Sequence, residues 1–385
     1  MEAEQFLAPA AIFYGPDSLE EAQTKVAELG TKALVVTDEI MEELEYVDKV
    51  KNVLEAANLD TVVYSGVNKE PSDQHVSTGV KLYQEKKCDF IIALGGGSPI
   101  DAAKAIGAML SNPGEISDYM GLGKIKNEIP PVVAIPTTAG TGSEVTQYTI
   151  INDTTNNVKM LIGSPELIPK IAIVDPLLTL SVPAEVTAAT AVDALTHAIE
   201  GYTSVNHQPL TDTLALSAVE RIANYLEQAY VDGGNIKARS QLMLAAMEAG
   251  MVINNSSVTL VHGLSRPIGA LFHLAHGVSN AVLLGACLEY AIAGHPERFA
   301  KVAQRLGVDA SQDSDLEVAS LGVEKVKELC KVVNIPSISE LGVDKQEFVS
   351  QLDKMAADAL ASGSPANGYR KPNKEEVITI YKKII

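Results

Sequence analysis

Hydrophobic positions in the first half of the chain fall into short continuous runs. They stand at 33–37 (ALVVT), 61–65 (TVVYS), 90–94 (FIIAL), 132–136 (VVAIP) and 171–175 (IAIVD). A strand covered on both faces has this unbroken apolar character, so each run is predicted to be a buried parallel strand. Between them, 72–86 and 99–110 carry apolar residues at helical spacing. A βαβ series of this kind predicts a doubly wound, Rossmann-like parallel sheet. The pattern changes after Pro183. Ala- and Leu-rich segments at 187–204, 211–229, 236–253 and 316–333 all have helical spacing, and no strand alternation appears. The stretch 362–373 reads as a loop, and EEVITIYKKII closes the chain as a short helix. The predicted fold class is therefore α/β plus all-α, with an N-terminal domain over 1–182 and a C-terminal helical domain over 183–385.

Composition narrows the function. A chain of 385 residues is long for one core and supports two domains. Its net charge of −19 argues against nucleic acid, because a phosphate backbone needs clustered Lys and Arg. Trp is absent and aromatics make up 5%, which leaves little for stacking bases. No run of about 18 uncharged apolar residues is present to span a bilayer, and the start, MEAEQFLAPAAIFYG, lacks the basic region of a secretory signal. Cys88, Cys287 and Cys330 are odd in number and widely spaced, as expected in a reducing cytoplasm, and form no thiolate metal motif. The expectation is a cytoplasmic protein acting on a small molecule, without nucleic-acid or membrane partners.

Two polar loops in the first half are candidates for binding a nucleotide. In FIIALGGGSPIDAAKAIG, Gly95, Gly96, Gly97 and Ser98 follow a buried strand, Pro99 suits a helix's first turn, and Asp101 lies just inside it. Glycines let backbone approach a phosphate, and the first-turn N–H groups and helix dipole favour its charge. A plain strand-to-helix turn would look the same. The pattern is not GxGxxG and does not follow the first strand. Asp38, at the end of ALVVTD, is placed to accept from a ribose diol and to repel a 2′-phosphate, favouring NAD over NADP; the alternative is a helix N-cap. A second loop after the fourth strand holds Thr137, Thr138 and Thr141, and Lys159 completes the cofactor-binding candidates.

The candidate metal ligands lie in the second half. In TAVDALTHAIEG, Asp193 and His197 are four apart, on one helix face. In VHGLSRPIGALFHLAHG, His262 and His276 flank an apolar segment. One carboxylate and three imidazoles suit a divalent first-row ion such as iron or zinc and leave room for a substrate oxygen. A helix-surface pair is the ordinary alternative for Asp193 and His197, but polar groups within VTAATAVDALTHAI would be costly to bury unpartnered. His273 is either a further site member or a support for it. His75, His207 and His295 read as surface or capping residues.

Taken together, GGGSPIDAAKAIG, PTTAGTGSEVT, DPLLT, DALTHAIE and the histidines of VHG and AHG resemble the iron-containing (group III) alcohol dehydrogenase family, over nearly the whole chain. The resemblance implies a dehydroquinate synthase-like architecture with its active site in the cleft between the two domains. It also implies a homo-oligomer, and hydride transfer between NAD and a small alcohol or aldehyde. It assigns the metal, Fe2+ or Zn2+, to Asp193, His197, His262 and His276, the pyrophosphate to Gly95–Ser98 and Asp101, adenine to Thr137 and Thr138, and the adenosine ribose to Asp38. One position departs from it. Many members read HGxxH, with the second histidine relaying a proton, but here the motif ends in Arg266. Arginine stays charged and is no base, so a water, a cofactor hydroxyl or His273 inherits the relay. Arg266 then either grips an anionic group on the substrate or forms a structural salt bridge. Two rivals remain: a dehydroquinate synthase-like or glycerol dehydrogenase-like enzyme, whose usual one-Asp, two-His set His197 exceeds, and a non-catalytic nucleotide-binding protein.

Overall fold

A computed structural model describes residues 3–156, 158–310 and 314–385. The chain forms two compact units, Leu7–Val182 and Pro183–Ile385, with residues 3–6 joining the second. In the first unit the strands are β1 (Ala11–Tyr14), β2 (Lys32–Val36), β3 (Asp60–Tyr64), β4 (Phe90–Gly95), β5 (Gly121–Leu122), β6 (Val132–Pro136), β7 (Tyr148–Asp153), β8 (Val158–Gly163) and β9 (Ile171–Val174). Its helices are α1 (Ser18–Glu21), α2 (Gln23–Ala27), α3 (Glu39–Glu43), α4 (Tyr46–Ala56), α5 (Asp73–Lys86) and α6 (Gly97–Ser111).

Six strands pair in parallel in the order β1-β9-β6-β4-β2-β3. Side-chain alternation explains their continuous apolar runs. Leu34, Ile91 and Ala134 pack on one face with Ile100 and Ile106 of α6, whereas Val35, Ile92 and Val133 pack on the other with Val50 and Leu54 of α4. Both faces are covered, so neither parity can be polar. The strand order reverses between β2 and β4, and in open α/β sheets such a switch point is where ligands bind, outside the strands' carboxyl ends. Asp38 follows β2 and the GGGS turn follows β4.

All five predicted strands form. The βαβ pattern leaves out β1, four residues long and too short to show as a run. It also leaves out an antiparallel hairpin, β7–β8, which joins β5 in a separate three-stranded sheet. Along β7 burial alternates, the mark of a one-sided strand. The Asp153 carboxylate starts its turn by accepting from the amides of Thr155 and Asn156, each at 2.9 Å.

The second unit is built mainly of helices: α7 (Ala184–Tyr202), α8 (Pro209–Val231), α9 (Ile236–Asn255), α10 (Leu260–Phe272), α11 (His276–Ala291), α12 (Pro296–Arg305), α13 (Asp315–Val332), α14 (Lys345–Ala361) and α15 (Lys374–Lys382), with one isolated antiparallel bridge between Ser204 and Gly368. Helix α7 is central, buried continuously from Ala191 to Tyr202 and packed on α8, α9 and α11. Small residues permit that. At Gly277 an added Cβ would stand 2.9 Å from the Ala189 carbonyl oxygen, so this glycine lets the start of α11 lie against α7 beside Asp193. One segment, His276–Gly294, is long and apolar enough to cross a membrane by length and composition, more than the sequence pattern predicts. Within this unit it packs against α7, α10 and α13, with its Glu289 paired to Lys327 and Lys383.

Candidate active site

Four side chains from three helices of the second unit converge. Asp193 and His197 share a face of α7, His262 comes from the first turn of α10, and His276 opens α11. Each offers one donor atom, and the four atoms lie within 4.8 Å of one another. Asp193 Oδ1 stands 3.9, 3.7 and 3.8 Å from Nε2 of His197, His262 and His276. An ion bonded to each at about 2.0–2.2 Å fits this spread after shifts of a few tenths of an ångström. Three residues are buried and His276 is exposed, so the group is walled in on one side and open on the other.

The electrostatics suit a divalent cation. Burial alone would raise the Asp193 carboxyl, but His197, His276 and His262 together, with the Asn280 amide, hold it below its ordinary range. His262 is pushed well below the usual imidazole value, by burial first and then by the neighbouring His197 and His276. Its neutral form is the one that ligates a metal. His197 stacks on His262 with ring centroids 4.6 Å apart, and its Nδ1 is buried without a partner.

Two residues missed by the sequence reasoning complete the setting. Glu200, one turn beyond His197 on α7, accepts from His262 Nδ1 at 2.6 Å, Val261 N at 2.5 Å and Thr259 Oγ1 at 2.9 Å. Asn280, four residues after His276, donates from Nδ2 to Asp193 Oδ1 at 2.6 Å, while its own amide oxygen is buried without a partner. Their i+3 and i+4 offsets from predicted ligands were the available signal.

In the first unit the two polar loops meet. Thr137 N–H donates to the Gly95 carbonyl at 3.0 Å. An added Cβ at Gly97 would sit 3.0 Å from Thr141 Cγ2, and one at Gly96 3.6 Å from Thr138 Oγ1. Gly95 has φ of +143° and caps the turn where other residues would be strained. Helix α6 begins at Gly97 with no side-chain cap on its first amides; Ser98 is half-buried in that turn. Asp38 N-caps α3 through the Met41 amide, 3.1 Å away, while its Oδ2 lies 3.4 Å from where a Gly95 Cβ would stand. One carboxylate thus serves the cap and faces the turn. Burial raises it, and the Met41 and Ile40 amides oppose that.

Two predicted cofactor-binding residues also have protein partners. The Asp101 carboxylate accepts from Ser143 Oγ at 2.7 Å and Ile150 N at 2.9 Å, so it fastens α6 to the neighbouring loop and strand. Lys159 stands on β8 in an ion pair with Glu70, and its charge also acts on the Asp101 carboxylate. Lys104, a residue the sequence reasoning did not select, holds the second loop. Its fully buried Nζ donates to the carbonyls of Ser143, Thr146 and Tyr148 at 2.6, 2.8 and 2.9 Å.

Two sequence signatures cover almost the whole chain: the iron-containing alcohol dehydrogenase signature matches residues 9–176, and the C-terminal signature of the same family matches 187–385. The chain belongs to the iron-containing alcohol dehydrogenase family. It is similar to the 1,3-propanediol dehydrogenase of Citrobacter freundii, 37% identical over 98% of both chains. It superimposes on a solved 1,3-propanediol oxidoreductase with a TM-score of 0.97, at 35% identity and full coverage of both chains. Sulfoacetaldehyde reductase from Bifidobacterium kashiwanohense, solved with NAD+, gives a TM-score of 0.89 at 25% identity, covering 100% of this chain and 99% of its own.

Within this iron-containing alcohol dehydrogenase, Arg266 lies one turn beyond His262 on α10 and is half-buried. Burial lowers its guanidinium, offset in part by the charge of Glu200. Among the described residues it makes no hydrogen bond or ion pair, so the salt-bridge alternative is not what forms. His273 is exposed at the end of α10, in the left-handed conformation with φ of 55°, and stands outside the group of four. His75 closes a capping box with Ser72, His207 pairs with Asp212, and His295 packs on Tyr369.

Proposed function

We propose that the chain is a metal-dependent, NAD(H)-linked alcohol dehydrogenase or aldehyde reductase whose small substrate carries an anionic group bound by Arg266. The observation that carries the anionic part is the half-buried guanidinium, one helical turn beyond His262, which makes no hydrogen bond or ion pair among the described residues and whose burial the charge of Glu200 offsets only in part. Partly desolvating such a charge is costly, and a carboxylate, sulfonate or phosphonate would answer its planar fork. The sulfoacetaldehyde reductase relationship supports this choice; the propanediol dehydrogenase relationship favours a neutral diol as the second reading.

Asp193, His197, His262 and His276 would hold the iron or zinc, which when bound supplies a Lewis acid for a substrate oxygen. The protein's share is position and charge, while the nicotinamide carries the redox step. The α6 amides and the GGGS turn receive the dinucleotide's phosphates, and Asp38 receives the ribose diol.

The test follows NADH consumption with neutral and anionic C2–C4 aldehydes, in the wild type and in Arg266→His. A charge-assisted bond worth about 1.5–3 kcal/mol predicts a ten- to hundredfold preference in kcat/KM for the anionic aldehydes that the variant loses. An unchanged preference removes Arg266 from substrate choice. No turnover of any aldehyde removes the dehydrogenase reading itself.

A further inference from the structure

Helix α10 has no side-chain cap of its own: Thr259, its N-cap, bonds none of the first amides. The structure assigns that task, and a second one, to Glu200. From the middle of α7, Glu200 Oε1 accepts from Val261 N at 2.5 Å and Thr259 Oγ1 at 2.9 Å. Its Oε2 takes His262 Nδ1 at 2.6 Å. Glu200 is 2% exposed and His262 3%, so no solvent competes for these bonds. We infer that Glu200 is a positioning residue for metal binding: it pins the start of α10 onto α7 and fixes His262 with its proton on Nδ1, leaving the Nε2 lone pair aimed at the group of four.

A carboxylate offers only acceptor sites: Val261 N and Thr259 Oγ1 donate to Oε1, and a bond between Oε2 and His262 Nδ1 then requires the imidazole proton on Nδ1. His262 Nε2 is then unprotonated, and it stands 3.7 Å from Asp193 Oδ1, where an ion is to be shared. His197 lacks such a brace, its Nδ1 having no partner, so the orienting carboxylate acts on the imidazole that comes from the other helix. A carboxylate behind a ligating imidazole sets its tautomer and raises its basicity, and losing one typically costs ten- to hundredfold in metal affinity. In Glu200→Gln one oxygen is replaced by an NH2 group. If that group faces His262, the imidazole must accept at Nδ1 and carry its proton on Nε2, the wrong nitrogen for the ion.

This rests on the metal reading of the Asp193 group, and the experiment separates the two. Zn2+ affinity is measured by competition with a chromophoric chelator for the wild type, Glu200→Gln, Thr259→Val, His262→Ala and Glu248→Gln. Glu248 is a buried carboxylate on α9 paired with Arg221 and controls for general loss of stability. The expected result is a ten- to hundredfold weaker site in Glu200→Gln, with Thr259→Val and Glu248→Gln within about threefold of wild type. Wild-type affinity in Glu200→Gln overturns the inference, as does an equal loss in Thr259→Val, which would reduce Glu200 to a helix cap. Equal Zn2+ binding by wild type and His262→Ala overturns the metal reading beneath it. Should Glu200→Gln fail to fold, histidine 15N shifts of the Zn2+-loaded wild type decide. A proton on His262 Nδ1 and metal on Nε2 support the assignment, and the reverse contradicts it.

Discussion

The two units solve their binding problems differently. In the helical unit the candidate chemistry lies in side chains: a carboxylate and three imidazoles projected from three helices onto one point. In the sheet unit it lies largely in backbone, at the turn after β4 and the uncapped amides of α6, while two charged side chains nearby serve as fasteners. Asp101 and Lys104 are spent on tying loops and strands together. A metal needs donor atoms of a given kind, whereas a diphosphate needs close approach and N–H groups. Charged residues beside the first kind of site are therefore candidates for function, and beside the second kind they are first candidates for scaffolding.

The largest effect that sharpens this contrast is expected at Lys104. Its Nζ donates to three carbonyls, and Lys104→Met removes that buried donor, at a cost of about 3–5 kcal/mol by analogy with a broken buried ion pair. Thermal melting should show a drop on the order of 10 °C for the sheet unit, while Zn2+ affinity of the helical unit stays unchanged. The pH dependence carries a sign. Burial pulls the Lys104 ammonium down to about 8, against the charges of Asp101 and Glu144. Between that value and the ordinary lysine pKa the unfolded chain binds more protons, so wild-type stability gains from this group as pH rises through the window. The gain is absent in Lys104→Met. A smaller effect is expected at Asp38. Asp38→Ala should cost about 1 kcal/mol through the lost α3 cap and raise NADPH use relative to NADH several-fold. Stability loss with no change in cofactor preference would make Asp38 a cap alone.

Much of the fold was legible because both periodicities are strong. Runs such as FIIAL lie between two covered faces, and the ALTHAI stretch of α7 is buried all round. The β7–β8 hairpin was not, since an alternating strand inserted in a βαβ series looks like a loop until its partner is known. The group of four was legible for a chemical reason: polar residues in an apolar helix need partners, and the i, i+4 spacing of Asp193 and His197 put them on one helix face. Glu200 sits in the same helix, yet its partner His262 is 62 residues away, and nothing local shows that it faces α10. The partners of Asp101 were not legible either, because Ser143 and Ile150, which donate to its carboxylate, lie more than forty residues away.

The claim on which the rest depends is that α7, α10 and α11 build one cation site. Its most direct measurement is anaerobic Fe2+ loading with elemental analysis, for the wild type and the double variant His197→Ala/His262→Ala. The predicted result is a single tightly held ion per wild-type chain and essentially none in the variant, with both folded. Equal iron in the two, or none in the wild type, would contradict it.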